Sequence, residues 1–176
     1  MEQKEKKENK FKSFLPYIII LIVVIIFKSY FYSLIVVNGD SMNKTLYDHD
    51  VMILDKISNR KKEYKRFDIV VIYLEDEREY IIKRVIGLPG EKIEYKENKL
   101  YVNGKYVKEN FNHEKTEDFS TKDIGYEEVP DGKYLVLGDN RGNSIDSRML
   151  GYIKKESIKG KTSLTLLPFN RIGIKK

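Results

Sequence analysis

The sequence predicts a mainly β protein, an antiparallel sheet or barrel-like domain set behind one N-terminal apolar helix. Three observations carry this. Short runs rich in Ile, Val, Leu and Tyr recur after residue 50, each closed by Gly, Pro, Asn or Asp. No convincing soluble segment shows the 3.6-residue apolar period of an amphipathic helix. One near-continuous apolar stretch, from Phe14 to Leu34, follows a Lys-rich start.

The first 13 residues are polar and cationic, with Lys4, Lys6, Lys7, Lys10 and Lys12. The uninterrupted core Ile18–Phe27 is short for a span of about 20 residues. Residues 14–34 are long enough if Lys28 reaches toward a headgroup layer, with Tyr30 and Tyr32 in the aromatic belt beside it. A cleaved leader would need small residues at its cut site. The chain has no Ala, and Val37-Asn38-Gly39 lies too far past the core. The expectation is therefore an uncleaved single-pass anchor in the cell membrane, in contact with the lipid bilayer. The lysines before it place the N-terminus in the cytoplasm and residues 38–176 outside.

Strands are expected at Val51–Leu54, Asp68–Tyr73 (after the charged break Arg60-Lys61-Lys62-Glu63) and Tyr80–Ile86. Further strands are expected at Lys92–Tyr95, Leu100–Val102, Lys105–Val107, Tyr134–Leu137 and Ser163–Leu167. Asn103-Gly104 signals a type I′ hairpin, which needs positive φ at both central residues. Residues 109–128 are charged and irregular and are expected to form a surface insertion. There is no internal repeat.

Composition excludes several classes. With no Cys there is no disulfide framework and no thiolate nucleophile or metal site. The net charge of +6 is spread out: residues 1–37 hold six Lys and three Glu, and the remainder has mixed charge. A nucleic-acid partner would want a basic cluster on a recognisable module, and neither is present.

Two residues invite a chemical reading. Ser41 lies in Asn38-Gly39-Asp40-Ser41-Met42, just past the apolar stretch, and Lys83 lies inside the apolar run Tyr80–Ile86. A serine hydroxyl needs a base to take its proton. The two histidines, His49 and His113, both fall in polar loop segments and are expected to be exposed. Lysine serves if neutral. Its ordinary pKa is about 10.4, so burial has to lower it by roughly 2–4 pH units, or about 3–5 kcal/mol of lost solvation. Strand periodicity puts Ile81, Lys83 and Val85 on one face, which supplies that environment. The bland alternative, an edge-strand lysine, would prefer a polar face. Ser41-Met42-Asn43-Lys44 also reads Ser-x-x-Lys, as in penicillin-binding proteins, but the partner motifs are missing and the chain is too short. In Gly138–Arg148, Asp139, Arg141, Asp146 and Arg148 suggest ion pairs that stiffen a loop, from which Ser144 presents its hydroxyl to Lys83. An EF-hand is excluded by the carboxylate spacing.

In order along residues 14–173, the chain resembles a bacterial type I signal peptidase. Gly39-Asp40-Ser41-Met42 with Thr45-Leu46 is similar to the family's nucleophile box, and Phe67–Val71 to its next box. Lys83–Glu91 is similar to its lysine box, and Gly138–Arg141 through Ser144, Asp146, Ser147, Arg148 and Gly151 to its final box. The resemblance implies a β catalytic domain of the signal-peptidase type. It implies Ser41 as nucleophile, Lys83 as general base, Ser144 as the hydroxyl orienting it, and Asp146 and Arg148 as supports. The Ser41 N–H would donate to the oxyanion, in a substrate-facing segment Gly39-Asp40-Ser41-Met42. Some members add a serine hydroxyl where this chain has Gly39, and the family commonly has Pro where this chain has Lys44. The implied partners are signal peptides of exported preproteins, cut after small residues of the Ala-X-Ala type through an acyl-enzyme, with no cofactor and no metal. Two alternatives are a self-cleaving repressor-type Ser-Lys peptidase and a tethered domain that binds peptides without cutting. Oligomeric state is not legible.

Overall fold

The computed structural model describes the backbone of residues 2–57 and 63–175, with side chains from residue 14 onward except 27–29. The charged break at Arg60-Lys61-Lys62, the side chains of the lysine-rich tail and that of Lys28 lie outside the described residues. Helix α1 runs Glu2–Phe31. Its side chains from Phe14 to Ile26 are all exposed, as is Tyr30, and Phe31 at its end is half-buried. Among the described residues no helix is long and apolar enough to cross a membrane. At 1.5 Å per residue the described apolar run covers about 20 Å, against a hydrocarbon core of roughly 30 Å.

The helix stops short of the predicted Leu34. Tyr32–Val36 form strand β1, paired antiparallel with β2 (Val51–Asp55) in the register Leu34↔Ile53 and Val36↔Val51. Its side chains alternate exposed and half-buried, the period of a strand. The sheet therefore begins inside the segment expected to be anchor.

The other strands are β3 (Ile69–Leu74), β4 (Glu79–Gly87), β5 (Ile93–Lys96), β6 (Lys99–Val102) and β7 (Lys105–Val107). They continue with β8 (Phe119–Ser120), β9 (Lys133–Leu137), β10 (Ile153–Lys154), β11 (Ile158–Leu167) and β12 (Gly173–Ile174). All pairings are antiparallel. The larger sheet has the order β1-β2-β11-β3-β4-β9-β10, with β12 beside β11, and the smaller has β7-β6-β5-β8. Val70, Val71 and Ile72 of β3 are buried on both faces, as their continuous apolar run requires. In the smaller sheet β5 alternates buried and exposed. Asn103 and Gly104 have φ of 49° and 76°, as a type I′ turn demands, and Glu97-Asn98 turns the preceding hairpin in the same left-handed region.

Residues 109–128 hold β8 and a 3-10 turn, Thr121–Ile124, and although much of the segment is exposed, parts of it are built into the protein. Thr116 is fully buried, and the Glu109 carboxylate accepts from Tyr95 Oη and from Arg141 Nη2, both at 2.7 Å. Phe111 packs 5.2 Å from Phe67, ring centre to ring centre. His113, expected to be exposed, has a side chain only 13% accessible, with Nε2 3.4 Å from Glu109. Polar residues here are buried because a distant arginine on the Gly138 loop neutralises them. Arg141 is itself buried, so Glu109→Ala leaves an uncompensated charge. That substitution is expected to cost about 3–5 kcal/mol in urea unfolding, whereas a surface insertion would show less than about 0.5 kcal/mol.

Candidate active site

Ser41 sits on the loop 37–50 between β1 and β2. The loop's neck is a backbone pair, Val37 N–H to Asp50 O at 2.8 Å and His49 N–H to Val37 O at 2.9 Å. Next to Ser41, Met42 is buried with Val37, Leu46, Met52, Ile69 and Ile82, so the nucleophile segment is nailed to the core by its own neighbour. From the other side, Asn140 N–H donates to Ser41 O and Asn140 Nδ2 to Asp40 O, each at 3.0 Å.

Lys83 lies on β4 opposite Val70, with Ile81 and Val85 on its own face. It is 3% exposed. Its Nζ is 2.6 Å from Ser41 Oγ, within a hydrogen bond. Among the described residues no carboxylate pairs with it. Burial pulls the amine down to about 8 from 10.5, against a weaker upward pull from Asp146, Glu79 and Asp139.

The adjacent Arg84 points to the opposite face and is handled the opposite way. Its fork grips Asp139, Nε to Oδ1 at 2.8 Å and Nη2 to Oδ2 at 2.6 Å. It also donates to Phe67 O and Thr45 Oγ1, and its guanidinium lies 3.9 Å over the Phe111 ring. One strand thus carries a fully compensated cation beside an uncompensated amine. Arg84 was not singled out by sequence reasoning, although an arginine on the apolar face shared with Ile82 and Ile86 called for a carboxylate.

The Gly138 loop closes the site. A Cβ on Gly138 would fall 2.2 Å from Ser144 Oγ and 2.4 Å from Ser41 O, so only glycine admits this approach. Of the four expected pairing residues, only Asp146 and Arg148 pair with each other (Nη2–Oδ2 2.8 Å), and Asp146 also accepts from Gly138 N–H. Asp139 and Arg141 reach out of the loop, to Arg84 and to Glu109. The expected Ser144–Lys83 hydrogen bond is not made. Ser144 Oγ is buried in the same cleft without a partner, because the Lys83 amine is turned to Ser41.

The segment expected to face the substrate is also sorted. The Gly39 N–H is taken by Asp48 Oδ1 at 2.8 Å, which removes it as an oxyanion donor. The Ser41 N–H carries no hydrogen bond among the described residues. Lys44 is half-exposed and lies 3.7 Å from Glu114, so the Ser-x-x-Lys reading finds no desolvated amine. Its φ of 87° is closed to proline, whose ring fixes φ near −65°, so this loop takes a course a proline there could not. His49 is exposed, as expected. No group of three or more His, Cys, Asp or Glu is placed to hold a metal ion among the described residues.

Around the pair lies a cleft of about 340 Å³, with Leu74, Ile81, Ile145 and Leu150 as its apolar wall and Glu77 at its rim. Through Asn38 and Glu79 it joins an 820 Å³ groove along β1, bounded by Leu34, Val36 and Tyr80. Among the described residues, the β4 edge from Glu79 to Lys83 is paired only with β3, since β9 joins from Arg84 onward. Among the same residues, β1 is paired only with β2. Two unpaired strand edges thus flank the cleft.

A hydroxyl held against a poorly solvated amine on a β scaffold is an arrangement that suits a serine-type hydrolase. The comparisons narrow the class. The family model described as "Signal peptidase, peptidase S26" matches residues 10–167. The chain is 38% identical to Signal peptidase I P of Bacillus subtilis subsp. natto, covering 97% of this chain and 96% of that one. It is 48% identical to Signal peptidase I V of Bacillus subtilis (strain 168), over 70% and 79% of the two chains. A crystal structure of a signal peptidase I from Enterococcus faecalis V583 matches with a TM-score of 0.52 and 37% identity, covering 56% of this chain and 96% of that one. The chain belongs to the bacterial type I signal peptidases, and it is a serine peptidase.

The Lys83 environment has a cost with a definite pH dependence. Its folded pKa of about 8 lies below the unfolded 10.5, so the charged amine destabilises the fold fully below pH 8. The penalty fades between pH 8 and 10.5. Lys83→Met is therefore expected to raise unfolding free energy by about 3 kcal/mol at pH 7 and by little at pH 10.5. Urea melts at the two pH values measure it, and equal effects at both would contradict a desolvated amine.

Proposed function

We propose that this peptidase removes N-terminal signal peptides from exported preproteins with Ser41 as nucleophile and Lys83 as general base. The observation that carries the reading is the 2.6 Å contact between Ser41 Oγ and a buried amine without a counter-charge. Neutral Lys83 takes the Ser41 proton as Oγ attacks the scissile carbonyl. The Ser41 N–H donates to the developing oxyanion. Lys83-H⁺ then protonates the leaving amine, giving a Ser41 acyl-enzyme and the mature chain. Water, deprotonated by Lys83, releases the signal peptide as a carboxylate and restores both groups. Asp146 and Arg148 support the Gly138 loop, and Ser144, which lines the same cleft as Lys83, orients the amine once Ser41 is acylated.

The substrate enters as an extended strand between the open edges of β1 and β4. The apolar wall of Leu74, Ile81, Ile145 and Leu150 in so small a cleft favours small side chains at the Ala-X-Ala positions. The anchor reading has two supports. The apolar side chains from Phe14 to Ile26 are exposed. The outer face of the sheet continues the same character, with exposed Leu34, Val36, Leu167, Phe169, Ile172 and Ile174. A helix in the bilayer, with the N-terminus cytoplasmic and the β domain outside, confines enzyme and substrate to one interface and raises their effective concentration.

Ser41→Ala and Lys83→Ala are each expected to abolish preprotein cleavage with the fold intact, while Lys44→Ala keeps it. With a base titrating near 8, kcat rises about tenfold from pH 7 to pH 9 and then levels. A flat profile, or full activity in Lys83→Ala, would reject the lysine base. Binding of a preprotein without cleavage would favour a tethered peptide-binding domain.

A further inference from the structure

Beyond the reacting pair, an ion pair from the far end of the chain reaches the loop that carries Ser41. Asp50 is fully buried at the loop's last position. Its Oδ1 accepts from Arg171 Nε at 2.9 Å and Nη2 at 2.6 Å, and its Oδ2 accepts from the Tyr47 N–H at 3.0 Å. The Arg171 guanidinium also lies 5.0 Å from the Tyr47 ring centre. Arg171 ends a single 3-10 turn, Phe169–Arg171, between β11 and β12. That turn is anchored on both sides, by β11 against β2 and by β12 against β11.

We infer that Arg171 is a positioning residue, which grips Asp50 to fix the neck of the 37–50 loop and so the direction in which Ser41 Oγ faces Lys83. The inference rests on the reading of Ser41 and Lys83 as the reacting pair. The top of the loop is already held, by Asn140 and by Thr45 against Arg84. Val37 and Asp50 pair at the neck through their backbones. The Asp50 side chain at that neck is held by Arg171 and by the Tyr47 N–H. A buried carboxylate stripped of its cation would not stay in place, because its desolvation would go uncompensated. Tyr47 would move with it. Tilting of the loop would then lengthen a 2.6 Å contact that joins a loop to a strand. Arg171 itself does not line the cleft, so substrate binding is not its task.

The experiment uses the full chain in detergent and a preprotein substrate, comparing wild type with Arg171→Met, Arg171→Lys and Asp50→Asn, and with Ser41→Ala as control. Values of kcat, KM, the midpoint of the pH–rate profile and the melting temperature are read for each. In Arg171→Met, kcat is expected to fall about tenfold or more, since small misplacement of a reacting atom is costly. KM stays within about twofold, as the cleft wall is untouched. The pH midpoint moves upward as water reaches Lys83. Arg171→Lys recovers part of kcat, having one cationic donor in place of two, and Asp50→Asn follows Arg171→Met. Unchanged kcat in Arg171→Met overturns the inference. So does a loss that follows melting temperature alone, with the pH midpoint unmoved. If Arg171→Met does not fold, Arg171→Lys and Asp50→Asn, assayed below their melting temperatures, decide by the same midpoint. If wild type fails to cleave, or Ser41→Ala cleaves, the reading of the reacting pair fails first; wild-type cleavage beside a fully active Arg171→Met rejects the clamp alone.

Discussion

The site depends on one constraint: an amine kept out of water without a carboxylate to pair with it. A buried lysine beside an acid, or an exposed one, would lose its proton only at strongly alkaline pH and so be a poor base. Lys83 avoids both because its face of β4 is lined by Ile81 and Val85, because Asp139 and Asp146 are committed elsewhere, and because Glu79 is exposed. Asp139 is held by Arg84 and Asp146 by Arg148. The ion pairs around the dyad are therefore part of its electrostatics. They keep the acids of the Gly138 loop occupied and turned away.

That division of labour explains the neighbouring basic pair on β4. Alternation along a strand sends Lys83 and Arg84 to opposite faces. The arginine, always charged, is given a bidentate partner, two more acceptors and an aromatic face. In doing so it ties together the Ser41 loop through Thr45, the Gly138 loop through Asp139, and the segment after Glu109 through Phe111. The geometry that brings Ser41 to Lys83 is maintained from the far side of the strand. Gly138 makes the last approach possible, since any side chain there would collide with Ser41 O and Ser144.

The central strands and three strands of the smaller sheet were legible because their signals are local, whereas β8 fell in a segment expected to be irregular. β-branched runs mark β3 and β4, and Asn103-Gly104 marks its hairpin. The contact between Ser41 and Lys83 could be anticipated because a lysine flanked by Ile81 and Val85 lacks the polar face an edge-strand lysine would prefer. The failures are non-local. Tyr32–Val36 continues the apolar character of the helix, and only pairing with Val51–Asp55 makes it a strand. The first half of β11 is broken up by Lys159, Gly160 and Lys161, whose bulged register against β3 is fixed in the folded sheet. Glu109 and Thr116 look like solvated residues until Arg141, far along the chain, covers them. Arg84 and Arg171 are the same case: a cation reveals its role only when its buried carboxylate is found. Gly39 shows the reverse, a backbone N–H that seemed available and is taken by Asp48.

Direct titration of the Lys83 ε-carbon by NMR, in full-length protein with the resonance assigned by its loss in Lys83→Ala, tests the central claim most plainly. A midpoint near 8 is the predicted result. A midpoint at or above the ordinary lysine value would mean that the amine is solvated or paired in the folded protein, and would contradict a desolvated lysine base.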